Sequence, residues 1–243
     1  MKIDVLVFGP HPDDAEIGAG GLLLKMKALG HTTGIVDMTH GDMGWGTPQE
    51  RDRECDEAAK HLKLDVRVNL DLLDFRVEDT WENRLKVAGA IRKYRPEIVL
   101  TPYYDIPPGR GLGHNDHWQT GRLVTNAFNL AHLHKAPVDG DPYQAKAIFY
   151  FYIPPGVRPT FTVDVTPYFG DWMKALACHR TQFFNPDKPK PKNPQPGLVE
   201  TLEMLARAQG WTIGVKYAQS FLATSPLRIR SPLDLVQEIE PRP

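Results

Sequence analysis

Cysteine is scarce in this sequence: Cys55 and Cys178 are the only two in 243 residues. Two thiols make neither a disulfide framework nor a cysteine-rich zinc site, so both are expected to be reduced and buried, in a cytoplasmic protein. An excess charge of one sign is lacking too. Lys+Arg number 29 against 30 for Asp+Glu, a formal net charge of -1. No global field therefore steers the chain toward nucleic acid or an anionic membrane. Long hydrophobic runs are missing as well: nothing approaches the roughly 18 apolar residues of a membrane span, and no signal-peptide core opens the chain. What remains, 41% hydrophobic and 24% charged residues, is ordinary globular composition able to bury a core.

Proline is abundant at 22. Much of it falls between Pro102 and Pro108 and between Pro186 and Pro196, which read as surface loops. Around these loops the hydrophobic pattern predicts strands at Ile3–Phe8, Gly34–Met38, Val66–Leu70 and Ile98–Leu100. Helices are predicted between them: Glu16–Leu29, Pro48–Leu62 and Thr80–Tyr94. The second carries the clearest start signal, a Thr47 N-cap, Pro48 in the first turn and Glu50 at the third position. Further on, 116–133 reads as a helix, 147–153 and 160–165 as strands, Thr166-Pro167 as a helix start running toward His179, 198–208 as a helix and 214–221 as a strand.

Strands alternating with helices imply an α/β fold, a Rossmann-like, doubly wound, mostly parallel sheet with helices on both faces. One domain over residues 1–223 with a C-terminal tail at 224–243 is expected. Ligands of such sheets bind outside the carboxyl ends of the strands, so the loops after strands one and four matter most.

Both hold unusual residues: His11-Pro12-Asp13-Asp14-Ala15-Glu16 and His114-Asn115-Asp116-His117. A catalytic zinc takes about three nitrogen or oxygen ligands and keeps one position open. One His and one Asp from the first loop with one His from the second supply that set. The second carboxylate of the first loop is then free to take a proton, while one of His114 and His117 ligates and the other serves the substrate. Asp13 or Asp14 acting only as a helix cap is the plain alternative for that loop. His31, His40, His61, His132, His134 and His179 show no matching carboxylate in the sequence and are given no role. Gly18, Gly20 and Gly21 do not form the dinucleotide fingerprint G-x-G-x-x-G.

Together these motifs resemble the LmbE/PIG-L zinc deacetylases, which act on N-acetylglucosamine-containing molecules. The resemblance extends through Thr39-His40-Gly41-Asp42-Met43-Gly44, Arg51-x-x-Glu54, 159–164 and 214–218. Within the family it is strongest to the N-acetylglucosaminyl-malate deacetylases of bacillithiol synthesis. It implies His11, Asp14 and His117 as Zn2+ ligands, Asp13 as general base, and His114, protonated and supported by Asp116, as the partner of the developing oxyanion. Arg51 is implied to reach the substrate, and a homo-oligomer, with a hexamer as one form, is implied as well. A two-His, one-carboxylate face also suits Fe2+.

The sequence departs from the family at Asn115, where relatives often carry His, in a long Pro/Gly loop at 105–113, and at Leu198, where a tyrosine is expected at the site's edge. The expected activity is hydrolysis of the N-acetyl group of a small amino-sugar substrate, without nucleic-acid or membrane partners. An amidase acting on a thiol conjugate and a non-catalytic metal-containing sugar-binding module are the alternatives.

Overall fold

The computed structural model describes residues 1–106, 109, 111–187 and 197–235. Five strands, β1 (Val5–Gly9), β2 (Thr33–Asp37), β3 (Val66–Asn69), β4 (Ile98–Pro102) and β5 (Ala147–Phe151), form one sheet in the order β3-β2-β1-β4-β5. Every pairing in it is parallel. The chain winds outward from β1 to β3, returns to place β4 on the other side of β1, and so creates a switch point between β1 and β4.

Alternation along β1 explains the two layers. Leu6 and Phe8 point into one core, shared with Val87 and Ile91 of α3 (Trp81–Tyr94) and Leu123 and Val124 of α4 (Asn115–Ala131). Val5 and Val7 point the other way, into a core with Ala19 and Leu23 of α1 (Asp14–Ala28) and Trp172 and Leu176 of α5 (Phe169–Ala177). The expected helices on both faces are therefore present. The second helix, α2 (Pro48–Leu62), starts as its sequence predicts: the Thr47 hydroxyl accepts from Glu50 N at 3.2 Å and Glu50 Oε2 accepts from Thr47 N at 2.8 Å.

Several boundaries differ from the sequence expectation. The first helix begins at Asp14 rather than Glu16, and Leu29, expected to be its last residue, lies just beyond its end and is 61% exposed. A side chain at Gly18 would place its Cβ 2.1 Å from the Phe151 ring, so that glycine serves the close approach of α1 to β5. The helix expected to run toward His179 splits into α5 and the short α6 (Arg180–Phe183), and α7 (Leu198–Ile213) extends past the expected end at 208. β6 (Phe161–Asp164) and β7 (Ala218–Phe221) form a separate antiparallel pair, linked to β5 by a bridge between Tyr150 and Leu222.

Leu198, at the first turn of α7, packs against the α1/α5 core and is not among the residues lining the cavity described below. The Lys/Pro stretch at 188–196 and the last residues, 236–243, lie outside the described residues. Among those described, no helix is long and apolar enough to cross a membrane.

Candidate functional site

The loops after β1, β2, β3 and β4 open on the same rim and surround a cavity of about 510 Å3, within the usual range for small-molecule sites. His11, Asp13, Asp14, His114 and His117 all line it. The two stretches singled out in the sequence thus meet.

Asp14 lies at the first turn of α1, with its two oxygens divided between two imidazoles: Oδ2 is 3.0 Å from His11 Nδ1 and Oδ1 is 3.3 Å from His117 Nε2. Tyr152 Oη also donates to Asp14 Oδ1, at 2.7 Å. Burial raises the Asp14 pKa, but the imidazoles of His117 and His11 outweigh it and hold the carboxyl well below the usual range. His11 carries the opposite balance. Burial lowers its pKa, and the carboxylates of Asp116, Asp14 and Asp74 raise it well above the ordinary imidazole value.

Asp13 holds the N-cap position of α1 yet makes no capping hydrogen bond, so the helix-cap alternative does not describe its side chain. Its backbone is strained, with φ 127° and ψ -31°, a region that L-residues rarely enter. Burial, and then the neighbouring Asp14 charge, push its carboxyl up to about 7.

Whether a metal fits can be judged from the side chains themselves. One nitrogen each of His11, His114 and His117 lies within 4.8 Å of the others, and His11, Asp74 and Asp116 form a second such group. His117 Nδ1 is buried without a hydrogen-bond partner. Four carboxylates, Asp13, Asp14, Asp74 and Asp116, gather around imidazoles and one arginine. Clustered acids are costly to keep ionised together unless a cation balances them. The donor set of neutral nitrogens and carboxylate oxygens suits zinc or ferrous iron.

Two sequence expectations need correction here. The family resemblance implies that Asp116 supports His114, but its carboxylate lies elsewhere. Its Oδ2 accepts from Phe75 N at 2.7 Å and lies 3.3 Å from His11 Nε2, and its Oδ1 accepts from Asn115 Nδ2 at 3.0 Å. Only the Asp116 backbone reaches His114, its N–H donating to His114 Nδ1 at 3.3 Å. An Nδ1 that accepts this N–H carries no proton, so the contact favours the neutral imidazole with its hydrogen on Nε2 over the expected imidazolium. Burial, reinforced by His11 and His117, lowers its pKa in the same sense.

The second correction concerns the histidines read as having no matching carboxylate. His40 lies 2.8 Å from both Asp52 and Asp71, and His179, fully buried, lies 2.9 Å from Glu16 Oε1. Arg67 pairs with the same Glu16 and, through Nε at 2.7 Å, with Asp37, closing a second cluster directly behind the rim.

Arg51 reaches the cavity wall from α2 but is only 3% exposed. Its Nη1 donates to Gly41 O at 2.7 Å and its Nη2 to Pro12 O at 2.8 Å, with Asp13 Oδ2 3.8 Å away. Gly41 must be glycine for this: its φ is +68°, and a Cβ there would fall 1.8 Å from Arg51 Nη1. Sequence reasoning missed Asp74, Phe75 and Tyr152. The first two follow β3 on the same rim as the loops after β1 and β4, so the strand order alone could have pointed to them.

Known proteins are similar to this chain to differing degrees. The family model for GlcNAc-PI de-N-acetylase (PIG-L) matches residues 6–128. A diacetylchitobiose deacetylase of Thermococcus kodakarensis is 30% identical over 192 residues, covering 74% of this chain and 70% of that protein. A probable N-acetyl-alpha-D-glucosaminyl L-malate deacetylase 2 of Bacillus anthracis is 26% identical over 220 residues, 85% of this chain and 93% of that one. The crystal structure of a conserved protein from Thermus thermophilus superposes with a TM-score of 0.82 at 38% identity, over 93% of this chain and 97% of that one. The chain belongs to the PIG-L/LmbE family of deacetylases.

Proposed function

We propose that this protein hydrolyses the N-acetyl group of a small N-acetylglucosamine-containing molecule in a zinc-dependent reaction, with ferrous iron as the other metal its donors suit. The observation that carries this reading is the meeting of His11, Asp13, Asp14, His114 and His117 around one cavity at the β1/β4 switch point. His11, Asp14 and His117 would hold the ion. When bound, zinc acidifies water toward a pKa of about 7 and polarises a carbonyl.

The remaining steps fall to the protein's own side chains. Asp13 lines the cavity beside Asp14, and its carboxylate takes the proton of the attacking water and returns it to the departing amine. His114, with its hydrogen on Nε2, donates to the acetyl oxygen as negative charge develops there. Asp116 positions rather than reacts: it fixes the Phe75 backbone and the far side of His11. Arg51 braces the loops carrying Gly41 and Pro12 and sets a positive charge beside Asp13.

Two substrates suggest themselves, the malate conjugate that the sequence motifs imply and the disaccharide named for the archaeal relative. A homo-oligomer in the cytoplasm is part of the same proposal, checked by light scattering. The decisive experiment measures amine release from N-acetylglucosaminyl-malate, N,N'-diacetylchitobiose, N-acetylglucosamine and a mercapturic conjugate, with metal analysis alongside. Release from an amino sugar that a chelator abolishes is expected. Stoichiometric metal with no amine from any of them would leave the binding-module alternative, and release from the mercapturate alone would leave the thiol-conjugate amidase.

A further inference from the structure

Resting on the amino-sugar reading of the cavity, we infer that Phe75 and Met43 form a subsite for an uncharged second ring, so that a neutral N-acetylated disaccharide is preferred over an anionic malate conjugate. Phe75 lines the cavity and is 54% exposed, although its backbone sits at φ 63°. A bulky aromatic in the left-handed region is a genuine outlier, kept only where its surroundings over-determine it. Here the Phe75 N–H is held by Asp116 Oδ2 at 2.7 Å, and the ring meets His114 edge-on, centroids 5.1 Å apart and planes at 89°. An exposed ring held this firmly adds little to the core. It faces what enters the cavity.

Met43, 71% exposed, lines the same cavity, and its N–H donates to Asp74 Oδ2 at 2.8 Å. The carboxylate of Asp74 thus ties Met43 on one side, is followed in the chain by Phe75, and has its Oδ1 3.1 Å from His11 Nε2. Apolar surface next to a fixed acceptor matches a pyranose, whose hydroxyls seek an acceptor while its C–H face seeks a ring or thioether.

The protein side chains offer an acidic aglycone no open cationic partner. Apart from Asp13 and Asp14 at the proposed ion, Asp74 is the one carboxylate and Arg51 the one lysine or arginine among the described lining residues. Its terminal nitrogens are committed to Gly41 O and Pro12 O, and its charge lies beside Asp13. A malate group would bring two further carboxylates with no open fork to receive them.

The test uses the metal-loaded enzyme for kinetics and its Asp13→Asn form for calorimetric binding of the intact compounds. The disaccharide is expected to exceed the malate conjugate by about tenfold or more in kcat/KM and in affinity. Phe75→Ala should lower kcat/KM for N,N'-diacetylchitobiose about tenfold more than for N-acetylglucosamine, mainly through KM, while Phe75→Tyr keeps the ranking. Met43→Ala should move the same ratio in the same direction, and it carries the test if Phe75→Ala fails to fold. Preference for the malate conjugate, or equal losses on mono- and disaccharide in both variants, overturns the inference. No amine from any substrate overturns the deacetylase reading instead, and the binding ranking in Asp13→Asn then still decides the subsite.

Discussion

At the start of α1, Asp13 and Asp14 face the cavity, while Glu16 turns inward to Arg67 and His179, with Asp37 on the same guanidinium. The two clusters use the same residue types within one turn of helix. Inside, Glu16 and Asp37 share the guanidinium of Arg67, Glu16 lies against His179 as well, and the members are buried or nearly so. Both carboxylates there rest directly against Arg67, and burial excludes any ligand. His179 Nδ1 and His117 Nδ1 both lack partners, so an orphan nitrogen alone does not mark a site. The outer cluster differs in two respects: four carboxylates, Asp13, Asp14, Asp74 and Asp116, gather near the single guanidinium of Arg51, against two on Arg67, and it borders a cavity. Imbalance together with access separates a site that binds from one that braces.

Substitutions can break this contrast. The largest effect is expected from Arg67→Met, which leaves Glu16 and Asp37 buried without their cation and should cost about 3–5 kcal/mol of stability, read as a lower denaturant midpoint. A midpoint within error of the native protein would mean that the inner cluster does not brace the fold. On the outer side, Asp13→Asn should keep stoichiometric metal and lose about 100-fold or more in kcat, whereas Asp14→Ala should lose the metal itself. Metal analysis of the two purified variants checks both, and the reverse pattern would exchange the assigned roles.

A smaller effect of opposite sign sharpens the comparison. Asp13→Gly relaxes the backbone at φ 127° and should raise stability by about 1 kcal/mol while abolishing turnover. A lower melting temperature would show that the outer cluster also braces the fold. The smallest effect concerns the thiols. Burial pushes the pKa of both Cys55 and Cys178 up, so neither should react with iodoacetamide at a pH of about 8 in the native state, and both should do so in denaturant. Rapid native labelling of Cys55, next to the inner cluster, would show that this side opens.

Much of the molecule was legible from local patterns. The alternation in β1, the Thr47–Glu50 capping box and the loops opening on His11 and His114 are short-range signals, and the parallel sheet converts them into a shared rim. What local pattern could not carry was pairing between distant residues. His179 and Glu16 are 163 positions apart, and nothing near His179 in the sequence advertises a carboxylate partner. Asp116 sits in the expected motif, but its contacts are set by Phe75, 41 positions away, whose loop carries no motif. The split of β6 and β7 from the main sheet likewise depends on antiparallel contacts that strand patterns alone do not fix.

Under the proposed metal dependence, the switch point also dictates when the protein could acquire an ion. Asp14 follows β1 and His117 follows β4, and they meet only because β4 docks beside β1. During synthesis the amino-terminal donors leave the ribosome long before their counterparts, so a nascent chain offers incoming metal no complete pocket until four strands are assembled. Loading of such an ion would then reward the finished fold by mass action, so added metal would raise the stability of the folded chain and not of its amino-terminal half.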